Sequence, residues 1–220
     1  MHKNKKPTHG EKELRAFSMP DLSAEPEGNV LQGHAAVFGQ PYDMYGCWQE
    51  TIARGAFDNT DLTDVLFDVN HDLSSLPLAR SRNNNANSTL QLQVDDQGLS
   101  TRATLDIENN ADAKALYSAV GRGDITGMSY IFAVKEDEWT GLDTDYPQRT
   151  ITDISKVFEV SAVSMPANPG TDISARSVSA LESAQRVLES ARERAASLES
   201  EAGQNEIELE RLRAEILSKE

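Results

Sequence analysis

The chain has 220 residues, one cysteine and a formal net charge of −15 at pH 7. This length suits one domain with a substantial core and an appendage, and a single cysteine excludes an internal disulfide. The lysine-rich N-terminus has no apolar stretch after it and is not a signal peptide, and no apolar run reaches membrane-spanning length. We expect a soluble, cytoplasmic protein without a membrane partner.

The negative charge is unevenly distributed. Residues 1–20 carry +3, residues 21–177 carry −14 and residues 178–220 carry −4. An acidic folded part repels nucleic acid, so we expect no nucleic-acid partner. The sequence has no closely spaced Cys/His cluster, P-loop or GxGxxG motif, so we expect neither a metal nor another cofactor. Cys47 has no neighbouring base and is interpreted as buried or incidental.

The predicted elements begin after a polar N-terminal stretch. Residues 1–28 are charged and proline-containing, and we expect a mostly mobile segment with a first strand around Leu14–Met19. A strand near Val30–Phe38 follows, and the block Glu50–Phe57 suits a short helix or turn.

Alternating apolar residues predict several strands in the middle of the chain. Val65–His71 reads as a core strand that His71 closes, with Val65, Phe67, Val69 and His71 on one face. Ser81–Ser88 is a surface loop. The runs Leu90–Val94 and Leu99–Leu105 alternate around Asp95-Asp96-Gln97-Gly98 and predict a β-hairpin.

A helix and two strands complete the predicted domain. Asn110–Gly121 has the apolar stripe of a helix, Ser129 opens the strand after it, and Glu136–Arg149 reads as a polar loop. Ile151–Met165 is a strand that contains Glu159. We expect a mainly β protein with α: an antiparallel barrel of about six or seven strands with one or two helices. The domain is predicted to span 29–172.

Residues 173–220 are predicted to form a linker and a heptad-repeat helical tail. Positions spaced 3-4-3-4 are mostly alanine or leucine: Leu181, Ala184, Leu188, Ala191, Ala195, Leu198, Ala202, Asn205, Leu209, Leu212 and Ile216. This spacing is typical of a coiled coil, and we expect self-association through residues 181–216. The alternative is a single solvated helix docked on the barrel.

Three polar residues in predicted strands could form a serine-protease triad: His71, Ser129 and Glu159. Serine chemistry needs a hydroxyl, a base that takes its proton and a carboxylate that orients the base. Each residue also has a plain structural interpretation: a hydrogen-bonded core histidine, a small strand residue, and a glutamate that faces water. Asp72 is a poor orienting residue because its side chain would point away from that of His71.

Short sequence blocks run in order from about residue 30 to residue 172: Gly33–Phe38, Glu50–Phe57, Asn70–Asp72, Pro77–Arg80, Gly98–Leu99, Gly127–Phe132 and Phe158–Pro169. Together they resemble the caudovirus prohead (capsid maturation) protease family, whose fold is related to the herpesvirus assemblin protease. The resemblance implies that His71 is the base, Ser129 the nucleophile and Glu159 the third member. Two positions depart from the family pattern, Ala79 and Tyr130-Ile131, where glycines are usual.

The resemblance also implies a function. The chain would be a serine endopeptidase that cleaves scaffolding and capsid precursor proteins inside the immature prohead, in the host cytoplasm, and that cleaves itself. Arg80 is a candidate donor to the oxyanion, with backbone amides as an equal alternative. The rival hypothesis is a non-enzymatic assembly protein that docks through its barrel and associates through its tail.

Overall fold

The computed structural model describes residues 12–83, 85–164 and 175–217. These residues form the helices α1 (Ala111–Arg122) and α2 (Ala175–Leu217). The strands are β1 (Lys12–Ser18), β2 (Ser23–Glu25), β3 (Val30–Val37), β4 (Tyr42–Asp43), β5 (Gln49–Ile52), β6 (Leu66–Val69), β7 (Ala79–Arg80), β8 (Leu90–Val94), β9 (Gly98–Thr104), β10 (Gly127–Thr140) and β11 (Gln148–Val163).

The strands form two open sheets. The larger sheet has the order β1-β10-β11-β5-β4, with β6 against a second stretch of β11 and β7 against β6; the smaller has the order β2-β3-β9-β8. A mainly β protein with two helices is therefore confirmed, but the predicted closed antiparallel barrel is wrong. Strand β11 pairs in parallel with both β5 and β6, so these short strands extend the sheet from β11 and it does not close on itself.

The apolar core lies where the two sheets and α1 meet. Alternate residues of β10 and β11, among them Tyr130, Phe132 and Val160, are buried with residues of the smaller sheet. Gly98 is required at one close approach, because a Cβ there would lie 1.9 Å from the carbonyl oxygen of Ala36. One face of the larger sheet thereby packs in the core, and its other face lies outside the core.

The predicted helix and the predicted hairpin are both observed. Helix α1 begins after Asn110, whose side chain accepts hydrogen bonds from the amides of Asp112 and Ala113. It ends at Gly123, which has a left-handed φ of 78°. Strands β8 and β9 pair in antiparallel register around the turn at 95–97. The Glu50–Phe57 block, expected to be a short helix or turn, begins within strand β5 and is a turn from Arg54 onwards.

Charged residues extend the strands beyond their predicted bounds. The strand predicted around Leu14–Met19 is observed as β1, which begins at Lys12 and pairs with β10, and part of the expected loop Glu136–Arg149 belongs to β10 and β11. The reason is a buried ion-pair network. Arg149 donates to Glu13 at 2.7 Å, to Glu50 at 3.0 Å and to Asp137 at 2.8 Å. Burial opposes the ionisation of Glu13, but Arg149 and Arg15 outweigh it and lower its pKa to about 2.

Helix α2 is one helix that docks on its own chain in its first half. Ala184 and Leu188 are buried against Met44 and Trp48, and Arg192 donates to the carbonyl oxygens of Leu142 and Thr144 at 2.9 and 2.8 Å. The predicted coiled coil is not confirmed, because this part of the heptad seam is used within the chain. No helix in the described ranges is long and apolar enough to cross a membrane.

Candidate active site

His71 lies in a left-handed turn directly after β6. The strand ends at Val69, and Asn70 and His71 have φ values of 53° and 59°, so the predicted strand does not extend to His71. Asn70 fixes the turn to the end of β11: its amide donates to the Ala162 carbonyl at 3.0 Å, and its side-chain oxygen accepts from the Ser164 amide at 3.0 Å. Such positive φ values are uncommon outside glycine and concentrate at functional sites.

Ser129 and Glu159 project from adjacent strands onto the sheet face opposite the core. Ser129, the third residue of β10, is opposite Ser161 of β11 in the antiparallel register. Glu159 precedes Ser161 by two residues, so their side chains share a face. Both Ser129 and Glu159 are buried. Two strands and one turn thus direct three side chains to one place.

The structure brings His71, Ser129 and Glu159 into one hydrogen-bonded series. The Nδ1 atom of His71 lies 2.6 Å from Oε2 of Glu159, and Nε2 lies 2.5 Å from Oγ of Ser129. With a proton on Nδ1 donated to the carboxylate, Nε2 accepts the hydroxyl proton. The His71 side chain is 16% exposed, so His71 is the member of the series that reaches solvent. This is the arrangement that activates a serine for nucleophilic attack.

Ser161 is a site residue that sequence reasoning missed. Its hydroxyl donates a short hydrogen bond to Oε1 of Glu159 and accepts one from the backbone amide of His71 at 3.0 Å. It therefore joins the Glu159 carboxylate to the turn that carries His71. The period-two alternation of strand residues, applied from Glu159, would have indicated that Ser161 shares its face.

Asp68 is a second buried carboxylate at this site. It is opposite Ser161 in the parallel register of β6 and β11, and its Oδ2 atom has no hydrogen-bond partner among the residues that the structure describes. Burial, then the negative charges of Glu159 and Asp72, raise the pKa of Asp68 to about 6. Asp68 is therefore more readily neutral than an ordinary aspartate. Glu159 has hydrogen-bond donors on both oxygens.

Arg80, one candidate oxyanion donor, makes its ion pair elsewhere. Its guanidinium donates to both carboxylate oxygens of Asp64, at 2.7 and 2.9 Å. Within the described ranges it makes no hydrogen bond to Ser129 or His71. Arg80 instead lines a cleft that also includes Glu159.

Two other features bear on alternative chemistry. Burial, then the charge of Asp43, raise the pKa of the Cys47 thiol, which disfavours the reactive thiolate. In the part of the chain that the structure describes, no group of three or more His, Cys, Asp or Glu side chains is arranged to hold a metal ion.

Comparison of the sequence with known proteins identifies a family. The family model of the caudovirus prohead serine protease matches residues 18–185. The chain belongs to this family. It is similar to a protein named prohead protease from Enterobacteria phage HK97, with 28% identity over 165 residues that span 73% of this chain and 66% of the relative. No solved structure shows a significant match.

Proposed function

We propose that this protein is a serine endopeptidase that cleaves capsid and scaffold precursor proteins during maturation of a viral prohead in the host cell. The observation that carries the proposal is the hydrogen-bonded series from Ser129 through His71 to Glu159. Membership of the prohead serine protease family supports the class of reaction and its setting.

The proposed reaction uses the three residues in fixed roles. Nε2 of His71 takes the proton of Ser129 as its oxygen attacks the scissile carbonyl carbon, and the imidazolium that forms is stabilised by Glu159. The imidazolium then gives its proton to the leaving amine as the peptide bond breaks. A water molecule, deprotonated by the same nitrogen, hydrolyses the acyl-enzyme and restores the hydroxyl. Ser161 positions the carboxylate and the histidine turn throughout.

The test is co-expression of the chain with the capsid precursor of its phage. We expect the parent to yield discrete precursor fragments and Ser129→Ala to yield none, with Ser100→Ala on β9 as a matched control that cleaves normally. The intact mass of each chain reports self-cleavage in the same experiment. Precursor cleavage by Ser129→Ala, or its absence with the parent, would contradict the proposal; the second result favours a non-enzymatic assembly protein.

We also propose that the distal half of α2 is the self-association element of the chain. Leu198 and Leu209 are 66% and 56% exposed and continue the seam whose first half docks on the domain. Sedimentation of the full chain carrying Ser129→Ala, compared with the same chain ending at Arg194, tests this. We expect concentration-dependent association of the longer chain only, and equal behaviour of the two would contradict the proposal.

A further inference from the structure

A cleft opens beside the proposed triad. It has a volume of about 200 Å³ and is lined by the apolar residues Leu66, Leu73, Ile131 and Phe158, with Lys12, Asp64, Arg80 and Glu159 completing the wall. An engineered cavity of roughly 150 Å³ holds a benzene molecule. The cleft therefore has the volume for one large apolar side chain.

Sheet geometry puts the cleft within one or two peptide residues of the Ser129 hydroxyl. Ile131 follows Ser129 by two residues on the same face of β10, a separation of roughly 7 Å along a strand. Ile131 is opposite Glu159, which in turn is opposite Leu66. The register shifts between Ile131 and Phe132, so Phe158 is an extra residue on β11. A bulge of this kind changes the direction in which a side chain points. The Phe158 side chain at this bulge lines the cleft.

The apolar wall is accessible to a ligand. Leu73, which follows the histidine turn, is 55% exposed although it lines the cleft. Ile131 and Phe158 are only half-buried. Large apolar side chains left exposed together are typical of binding surfaces. Their exposure is thus explained if a substrate covers them.

The charge around the cleft disfavours a basic ligand. The Arg80 guanidinium is neutralised by Asp64. The Lys12 ammonium lies 4.2 Å from the centre of the Phe158 ring and forms no ion pair with any residue in the described ranges. Glu159 also lines the cleft, but its two oxygens already accept hydrogen bonds from His71 and Ser161. A lysine or arginine side chain would therefore meet the Lys12 ammonium and an apolar wall without a free carboxylate to pair with.

We infer that this cleft is the specificity subsite of the proposed protease and takes a large uncharged apolar side chain, such as leucine, isoleucine, methionine or phenylalanine. The side chain lies within two residues of the cleaved bond. This inference rests on the proposed function for its substrate class. Leu73, Ile131 and Phe158 determine specificity in it and take no part in the chemistry.

The test uses two leucines of one loop. Leu73 lines the cleft, whereas Leu76 is 84% exposed and lies outside the lining, so Leu73→Asp and Leu76→Asp add the same charge to neighbouring exposed positions. The full chain is incubated with β-casein, an unfolded substrate, and the cleaved bonds are mapped by mass spectrometry. We expect a large apolar residue at one fixed position within two residues of the cleaved bonds.

Peptides based on the best casein site then measure the subsite directly. Replacing the apolar residue with alanine should lower kcat/KM by roughly 10–200-fold, and replacing it with lysine should lower it further. Leu73→Asp should raise KM with little change in kcat, while Leu76→Asp should match the parent. No apolar preference, or equal effects of the two substitutions, would overturn the inference.

Binding without cleavage separates this inference from the proposed function. Fluorescence anisotropy of labelled β-casein is measured with chains that all carry Ser129→Ala. We expect added Leu73→Asp to weaken binding at least fivefold and added Leu76→Asp to leave it unchanged. If Leu73→Asp weakens binding but no Ser129-dependent cleavage is found, the binding subsite is supported and the proposed protease activity is refuted. Cleavage by the parent without the Leu73 effect on binding would refute the subsite alone.

Discussion

The backbone carbonyl oxygen of Arg15 lies 2.8 Å from the hydroxyl oxygen of Ser129. The hydroxyl has one proton and a second acceptor, Nε2 of His71, so the Arg15 carbonyl and the imidazole compete for that proton. Ser129→Ala removes both contacts but leaves a partly exposed imidazole that water can reach. We expect it to lower the free energy of unfolding by only about 1–2 kcal/mol, measured by urea denaturation. Loss of the cooperative transition would contradict this and would disqualify the variant as an inactive reference.

Ser161→Ala should reduce activity without unfolding the protein. It removes the hydroxyl that donates to Glu159 and accepts from the His71 amide, so the carboxylate and the histidine turn lose a shared contact. We expect kcat to fall roughly 10-fold, as when the supporting shell of a site is altered, with KM nearly unchanged. Ser155→Ala, on the same strand, removes a hydrogen bond to the Ala133 carbonyl and is the control. Equal kcat values for the two variants would exclude a positioning role for Ser161.

Glu159→Gln should nearly abolish cleavage while the fold is kept. An amide at this position can donate to Nδ1 of His71 and stabilise the tautomer that cannot accept the serine proton; the corresponding change in a well-studied triad costs about 10⁴-fold in kcat. Asp153→Asn is the matched control, because Asp153 is on the same strand and pairs with Lys135. The two variants are compared by their steady-state rates of cleavage of the casein-derived peptide. If Asp153→Asn lowers the rate and Glu159→Gln does not, Glu159 is not a member of the triad.

Asp68→Asn should make stability less dependent on pH. The folded-state pKa of about 6 lies above the ordinary value of 3.8, so the stabilising contribution of Asp68 is present below about pH 4 and is lost as the pH rises through 6. The variant should match the parent near pH 4 and exceed it by about 1–3 kcal/mol at pH 8. Urea midpoints at both pH values measure this. A difference that shrinks with rising pH would show that Asp68 is stabilised as the anion.

Shortening α2 should affect stability only when the docked half is lost. A chain that ends at Arg194 keeps Ala184, Leu188 and the two Arg192 hydrogen bonds, whereas one that ends at Ser177 exposes Trp48. We expect the shorter chain to lose roughly 2–4 kcal/mol, from the apolar area uncovered, and to show red-shifted tryptophan emission. Equal stability of the two chains would mean that the docking contributes nothing.

Local patterns in the sequence predicted the helix, the hairpin and the residue types of the site. They could not predict which residues meet, because the contact between His71 and Glu159 depends on β6 pairing in parallel with β11, and periodicity carries no partner information. The turn at His71 was missed because neither Asn70 nor His71 is the glycine that usually marks a positive φ.

Strand positions occupied by charged residues were not predicted, for a related reason. Glu13 reads as part of a mobile segment, and Asp137 and Arg149 as part of a loop, because charged residues are seldom buried. Their burial becomes favourable only through partners from other strands. Sequence position does not reveal that pairing.

The parallel pairing of β6 with β11 also sets the order in which the site can form during synthesis. His71 and Ser129 leave the ribosome before Glu159, which lies 88 positions after His71. Contacts of such long range form slowly and late. A nascent chain that stops short of β11 contains the hydroxyl and the imidazole but neither the orienting carboxylate nor Ser161. The proposed site therefore cannot be complete until β11, near the end of the folded domain, has been translated.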